Sequence, residues 1–147
     1  MNEYIFREYD IRGIVEDDFS KDVVIHLGLA FGTYIINKGK KNVSISGDIR
    51  LTTPQLIKWF TAGLIKTGIN IINIGILPTP VNYFSMFHLN IDGAVQITGS
   101  HNPPQFNGFK LSLNKKAFYA EQIQALLRLI NKQDFESGSG EISVLEI

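Results

Sequence analysis

Three short apolar segments separated by helical patterns constrain the fold of this chain more than any other feature. The segments cover residues 43–46, 69–74 and 93–98, and each is rich in β-branched residues or bounded by Gly, Asn or Asp. Such runs are typical of buried strands. Strands that alternate with helices indicate a parallel sheet whose connections cross over its faces. We therefore predict that these three strands are mutually parallel.

Four stretches with apolar residues at helical spacing surround these strands. Ser20 is expected to cap the first helix, and Thr53 and Thr79 are expected to cap the second and third, because a proline follows each threonine. The last pattern is amphipathic. The predicted helices cover residues 22–36, 53–68, 79–89 and 119–131.

Residues 109–113 predict one further strand, joined to the third by a polar loop. Together these elements predict a three-layer α/β/α fold with a mixed, mainly parallel sheet. We assign residues 1–135 to one domain. Residues 136–147 begin with a Gly/Ser-rich stretch and end in a strand-like run, so we expect a linker and the start of a connection to a second domain.

Composition excludes several classes of protein. The 147 residues include 14 Lys+Arg and 14 Asp+Glu, which argues against a nucleic-acid partner bound through a broad basic surface. With no cysteine, the chain has neither disulfides nor thiolate metal ligands. His26 and His88 fall in helical patterns and are expected to be surface or packing residues. The absence of a membrane-length apolar run and of a secretory signal predicts a cytoplasmic protein without a membrane partner.

The most informative segment is the loop at residues 98–110. It combines a hydroxyl, an imidazole, two amides and a lysine just beyond a predicted strand, which is where open α/β sheets bind ligands. Ser, Asn, Pro and Gly are also the residues of ordinary turns. The chain has no Gly-x-Ser-x-Gly elbow and no Gly-rich Lys-Ser/Thr phosphate loop, so neither a hydrolase nor a P-loop enzyme is indicated.

The complete loop resembles the phosphoserine loop of the α-D-phosphohexomutase superfamily, whose pattern is Thr-x-Ser-His-Asn-Pro followed by Asn-Gly-(hydrophobic)-Lys. Three other stretches resemble elements of that family in the same order. They are Tyr9-Asp10-Ile11-Arg12-Gly13, Gly47-Asp48-Ile49-Arg50 and Gly75-Ile76-Leu77-Pro78-Thr79-Pro80. The second departs from the family, which usually has Gly-Arg-Asp there. The variant of the loop resembles most the bacterial phosphomannomutase/phosphoglucomutase branch.

The resemblance implies an enzyme that interconverts hexose 1-phosphate and hexose 6-phosphate through a phosphoserine and a bisphosphorylated sugar. It implies that Ser100 is the phosphoryl carrier and, through its phosphate, one ligand of Mg²⁺. It also implies that Lys110 is a general acid/base and that His101 supports catalysis. Glucose or mannose 1,6-bisphosphate would be the intermediate and activator.

Three further residues are predicted to bind substrate or phosphate, namely Tyr9, Arg12 and Asn102. Asp48 and Arg50 are instead expected to form a structural ion pair near the edge of the sheet. The spacing of these residues alone does not establish their roles, because polar side chains near a strand end also occur in ordinary turns.

Other motifs of the superfamily are absent from these residues, including the Asp-rich metal loop and the Glu-x-Ser-Gly sugar-binding loop. We therefore expect that the remaining domains of a longer enzyme complete the site and that this chain alone is inactive. A non-catalytic stand-alone domain and a phosphoglucosamine mutase are the alternatives. Without a sugar-binding loop, the choice between mannose and glucose stays open.

Overall fold

A computed structural model describes residues 1–146 and contains a mixed seven-stranded sheet. The strands are β1 (Ile11–Ile14), β2 (Asn42–Gly47), β3 (Asn70–Ile76), β4 (Gly93–Ile97), β5 (Phe106–Leu113), β6 (Lys116–Ala117) and β7 (Ile142–Val144). The spatial order is β1-β5-β4-β2-β3-β7, and β6 pairs with β5. The neighbours within the group β4, β2, β3 and β7 are parallel, whereas β5 is antiparallel to both β4 and β1.

Helices cover both sides of this sheet, which confirms the predicted α/β/α fold with a mixed sheet. The three strands that we predicted to be parallel are parallel. The helices are α1 (Val15–Asp18), α2 (Lys21–Asn37), α3 (Thr53–Lys66), α4 (Thr79–His88) and α5 (Glu121–Lys132), and a 3₁₀ turn covers Glu3–Ile5.

The main hydrophobic core lies on the side of the sheet covered by α2, α3 and α5. Phe31 of α2 and Phe60 of α3 are fully buried there, and Phe60 stacks on Phe109 of β5 with ring centroids 5.1 Å apart. Helices α2 and α3 approach closely at Gly28, where a Cβ atom would lie 2.3 Å from the carbonyl oxygen of Phe60. Aromatic and aliphatic burial on this side supplies most of the apolar driving force for folding.

The contact between the sheet and α4 is more polar. Asn82 donates from its side chain to the Ser46 hydroxyl (2.7 Å) and to the Val95 carbonyl (2.8 Å), and the Ser44 and Ser85 hydroxyls are 2.9 Å apart. These groups are buried, so their hydrogen bonds offset the cost of removing them from water. Helix α4 is therefore located by specific polar pairs more than by apolar area.

Two predicted helix caps are wrong. Thr53 and Thr79 are the first residues of α3 and α4, and the N-caps are Thr52 and Pro78. The Thr53 hydroxyl instead donates to Asp48 (2.7 Å), so a partner outside the helix has replaced the expected cap. The cap at Ser20 is confirmed, because its hydroxyl accepts the backbone N–H of Val23 at 3.3 Å.

The N-terminal strand β1 was not predicted from the sequence. It contains Arg12 and Gly13 between two isoleucines, a pattern too short and too polar to stand out as a strand. Near the other end, β7 pairs with β3 in the strand-like run that we predicted after the Gly/Ser-rich stretch. The boundary at residue 135 stays a prediction, and Ile147 lies outside the described residues.

Candidate functional site

Ser100 lies on an exposed loop just beyond the carboxyl end of β4. Its backbone has φ +52°, in the left-handed region that costs a non-glycine residue about 1–2 kcal/mol. The N–H of Ser100 donates to the Thr98 hydroxyl at 3.0 Å, which ties the turned backbone to the end of the strand. A strained residue kept at the edge of a parallel sheet is typical of a functional position.

Asn102 closes the turn that contains Ser100. Its backbone N–H and its side-chain amide both donate to the carbonyl oxygen of Gly99, at 3.0 and 2.8 Å. The amide group is thereby engaged in the loop itself. Its predicted role in binding phosphate remains a prediction, and the structure adds a loop-closing role that the sequence did not indicate.

Arg50 lies beneath this loop and donates to four of its backbone carbonyls. One terminal nitrogen contacts the oxygens of Pro103 (2.7 Å) and Phe106 (3.1 Å), and the other contacts those of Ser100 (3.0 Å) and Asn102 (2.7 Å). The four terminal N–H groups of the guanidinium therefore all have acceptors. The predicted ion pair with Asp48 is present, with Nε 3.3 Å from the carboxylate.

Asp48 completes this anchor from the end of β2. Its carboxylate accepts the backbone N–H groups of Arg50 and Gly99, each at 3.1 Å, and the Thr53 hydroxyl. Burial alone would raise the pKa of the Asp48 carboxyl. The hydrogen bonds from Thr53, Arg50, Thr98 and Gly99 outweigh burial and hold that pKa below its usual range. Asp48 is therefore a stable anion that joins β2, α3 and the loop.

Gly99 leaves room for this arrangement. A Cβ atom at position 99 would lie 2.2 Å from Cζ of Arg50, closer than any side chain tolerates. The glycine in the Thr-Gly-Ser-His string is thus explained by the close approach of the guanidinium to the backbone.

A second group of charges lies at the start of β1 and on β5. The Asp10 carboxylate is 3.7 Å from Nζ of Lys110 and 3.5 Å from a terminal nitrogen of Arg12, and its side chain is 8% exposed. Antiparallel pairing of β1 with β5 brings these residues together. Within residues 1–146 the buried Nε of Arg12 has no hydrogen-bond partner. Asp10 was not among the predicted site residues, although it lies in the quoted motif.

The predicted site residues fall into two neighbouring groups. Ser100 and Asn102 line a depression of about 360 Å³ together with Asp48 and Arg50. Lys110 lines a separate cavity of about 240 Å³, where Tyr9 is also found. Across the sheet, Lys110 pairs with Gln96, one residue before the end of β4, and this places both groups near the carboxyl end of that strand.

Two of the predicted site residues, Tyr9 and His101, are largely open to solvent. Tyr9 is 70% exposed and stacks on Tyr119 with ring centroids 6.2 Å apart. His101 follows Ser100 and is also exposed. Both side chains are accessible to a ligand that approaches this end of the sheet.

The described part of the chain, residues 1–146, holds no cluster of side chains that would complete a magnesium site. Among residues 1–146, no three His, Asp or Glu side chains cluster as metal ligands. Mg²⁺ prefers several oxygen ligands in octahedral geometry, and one serine phosphate would supply a single one. In the same range, no helix is both long enough and apolar enough to cross a membrane.

Comparisons with known proteins agree with this fold. The model of the phosphoglucomutase/phosphomannomutase alpha/beta/alpha domain I matches residues 3–137. The chain belongs to this family. It is 39% identical over 143 residues to a phosphomannomutase/phosphoglucomutase of Pseudomonas aeruginosa and 37% identical over 142 residues to a phosphoglucomutase of Neisseria gonorrhoeae.

A solved structure of a phosphoglucomutase/phosphomannomutase family protein from Burkholderia thailandensis superposes with a TM-score of 0.95 at 36% identity, over 99% of this chain and 34% of that one. The chain spans only 31% of the length of each of the two relatives named above, and the alignment covers 97% of this chain. The match to a domain I of this family thus extends over nearly the whole chain.

Proposed function

We propose that this chain is the phosphoserine domain of an enzyme that interconverts the 1- and 6-phosphates of a hexose, mannose or glucose. The observation that carries the proposal is the exposed, strained Ser100 at the carboxyl end of β4 in a phosphoglucomutase/phosphomannomutase domain I. Relatives at 37–39% identity that bear these enzyme names support the reaction class.

In the proposed reaction, phosphorylated Ser100 donates its phosphoryl group to the free hydroxyl of a hexose monophosphate. A new P–O bond forms to the sugar while the bond to the Ser100 oxygen breaks, and a bisphosphate results. The bisphosphate then reorients and returns its other phosphoryl group to Ser100. Because phosphoryl transfer depends mainly on positioning and charge neutralisation, the protein needs a fixed carrier and nearby cations.

Lys110 is the proposed general acid/base at the sugar hydroxyl. Its side chain is 37% exposed and its Nζ lies 3.7 Å from the Asp10 carboxylate, so it can turn toward a ligand without losing a dense set of contacts. Arg12 and His101 would add positive charge near the phosphate. Tyr9 and Asn102 remain candidates for substrate contact.

Mg²⁺ would neutralise charge on the transferring phosphoryl group when bound, and the phosphate of Ser100 would be one of its ligands. The other ligands and the sugar-binding residues would come from the remaining domains of the enzyme. Those domains, hexose phosphate and hexose 1,6-bisphosphate are the partners we propose, and a cytoplasmic location stays a prediction.

Substitution of Ser100 tests the proposal in a polypeptide that joins this domain to the remaining mutase domains. Ser100→Ala should abolish nearly all mutase activity and change the free energy of unfolding by less than about 0.5 kcal/mol, because the serine is exposed. Ser137→Ala, at another exposed serine, is the matched control and should retain full activity. A fully active Ser100→Ala enzyme would contradict the proposal.

A further inference from the structure

We infer that Arg50 is the positioning residue of Ser100: it fixes the backbone of the phosphoserine loop and does not bind the substrate phosphate. The inference deepens the proposed function and rests on it for the role of Ser100. The sequence pointed to a simple ion pair with Asp48. The structure shows in addition four contacts between one guanidinium and a loop of seven residues, from Ser100 to Phe106.

The first argument concerns the acceptors. The loop contains two consecutive prolines, Pro103 and Pro104, which have no backbone N–H to donate. A carbonyl oxygen has two lone pairs: that of Pro103 accepts the backbone N–H of Phe106 at 3.0 Å, and both it and the Asn102 carbonyl also accept from a side chain. Arg50 supplies a donor to each at 2.7 Å, the two shortest of its contacts. The guanidinium thus supplements the few backbone hydrogen bonds of a loop whose two prolines cannot donate.

The second argument concerns direction. A trans peptide unit points its N–H away from its carbonyl. The Ser100 carbonyl points to Arg50 at 3.0 Å, so the following N–H, which belongs to His101, points away from Arg50. The four loop carbonyls, which carry partial negative charge, therefore point inward toward Arg50. This orientation keeps them away from a phosphate carried on the outer side.

The third argument is that the guanidinium is saturated. Its terminal N–H groups are engaged by carbonyls, its Nε faces Asp48 at 3.3 Å, and the side chain is 16% exposed. A ligand phosphate would have to displace contacts of 2.7–3.1 Å to reach it. Lysine cannot reproduce the arrangement, because its three donors radiate from one nitrogen and do not form a planar fork.

Gly99 independently supports the same assignment. Its N–H donates to Asp48, and its missing side chain admits the guanidinium, since a Cβ there would lie 2.2 Å from Cζ of Arg50. The residue immediately before the proposed phosphoserine is therefore shaped to fit Arg50. The loop, Asp48 and Arg50 form one unit, in which Ser100 adopts φ +52°.

The first test measures the backbone of Ser100 in the 147-residue chain by NMR, through the scalar coupling and the intraresidue HN–Hα contact that report the sign of φ. We compare wild type, Arg50→Ala, Arg50→Lys and Arg128→Ala, the last being an exposed arginine paired with Glu121. Positive φ should persist in wild type and Arg128→Ala and be lost or averaged in both Arg50 variants. Positive φ retained in a folded Arg50→Ala or Arg50→Lys chain would overturn the inference, whatever the enzyme does.

The second test measures turnover of hexose 1-phosphate by the same variants in the polypeptide with all mutase domains. We expect kcat to fall roughly 100-fold in Arg50→Ala with KM nearly unchanged, the size of effect that a 1 Å misplacement produces. Added guanidinium ion should restore part of the Arg50→Ala rate, and urea should not. A change confined to KM would instead make Arg50 a substrate ligand and overturn the inference.

These tests separate failure of the inference from failure of the proposed function. If wild-type enzyme never takes up phosphate on Ser100, the proposed function fails. In that case the NMR comparison still decides whether Arg50 fixes the loop. If wild type is phosphorylated and active and Arg50→Ala matches it in kcat, the proposed function stands and the positioning role is wrong.

Discussion

Arg50 and Lys110 are two cations of the candidate site that contact their surroundings in opposite ways. Arg50 is 16% exposed and donates to four carbonyls at 2.7–3.1 Å, whereas Lys110 is 37% exposed and has a carboxylate at 3.7 Å. A cation whose four terminal N–H groups all donate to the backbone holds the loop in place. A cation with one long contact is available to a ligand. Position in the same site therefore does not imply the same role.

Of the substitutions that compare these two cations, Lys110→Ala should have the larger effect on turnover and a small effect on folding. If Lys110 is the general acid/base, its loss should slow phosphoryl transfer roughly 10²–10⁴-fold. Ser100 should still accept phosphate, because the loop does not depend on this side chain. Steady-state kinetics and thermal unfolding of the complete enzyme check this, with Lys58→Ala on the exposed surface of α3 as the control. Activity near that of the control would remove Lys110 from the proposed reaction.

Asp48→Asn should instead have its main effect on the stability of the fold. The amide would face donors with an NH₂ group in place of one carboxylate oxygen, and Arg50 would lose its counter-charge. Loss of charge-assisted hydrogen bonds at a largely buried site costs about 1–3 kcal/mol. Urea unfolding of the 147-residue chain measures it.

Glu121→Gln is the matched control for Asp48→Asn, because Glu121 also pairs with an arginine but is 77% exposed. Exposed pairs contribute little, so we expect a change below about 0.5 kcal/mol. Equal destabilisation by the two substitutions would mean that the Asp48–Arg50 unit is no more important to the fold than a surface pair.

The pH dependence of unfolding should report the anionic state of Asp48. The folded state holds the pKa of Asp48 below its unfolded value of about 3.9, so its stabilising contribution is complete above that value. The contribution is lost as the pH falls through the lower folded pKa. The difference in unfolding free energy between wild type and Asp48→Asn should be constant above about pH 5 and shrink under more acidic conditions. A difference that does not change with pH would contradict the anionic anchor.

The smallest effect is expected from Arg128→Ala. Arg128 is 54% exposed and pairs with Glu121 on the surface of α5. Its removal should change the free energy of unfolding by less than about 0.5 kcal/mol and leave turnover unchanged. Differential scanning calorimetry of Arg128→Ala and Arg50→Ala compares the loss of stability at a surface arginine with that at an arginine whose terminal N–H groups all donate to the backbone. A loss of stability as large as that of Arg50→Ala would contradict the distinction.

The sequence predicted the parallel strands because their short apolar runs, separated by helical patterns, are local features of the chain. It also indicated the loop at Ser100, since the motif is contiguous. Strand β1 was missed because its assignment depends on pairing with β5, nearly a hundred residues away. The cap at Thr53 was wrong for a related reason, as the hydroxyl serves Asp48 on another element.

The roles of Asp10 and Arg50 also depended on distant contacts. An Asp-x-Arg spacing predicts a local ion pair, and that pair exists. Nothing in the spacing shows that the same guanidinium reaches carbonyls 50 to 56 residues further along the chain. Asp10 likewise meets Lys110 through strand pairing that the sequence pattern does not reveal. Sequence motifs therefore located the candidate site. Tertiary contacts distinguished the residues that hold the loop in place from those available to a ligand.

The most direct test of the account is intact-mass and peptide mass spectrometry of the complete enzyme after incubation with glucose 1,6-bisphosphate. We predict one phosphoryl group on Ser100, discharged when glucose 1-phosphate or mannose 1-phosphate is added. Ser137→Ala should behave as wild type, and Ser100→Ala should take up no phosphate. A phosphoryl group on another residue, or one on Ser100 that no hexose phosphate discharges, would contradict the central claim that Ser100 carries the transferred group.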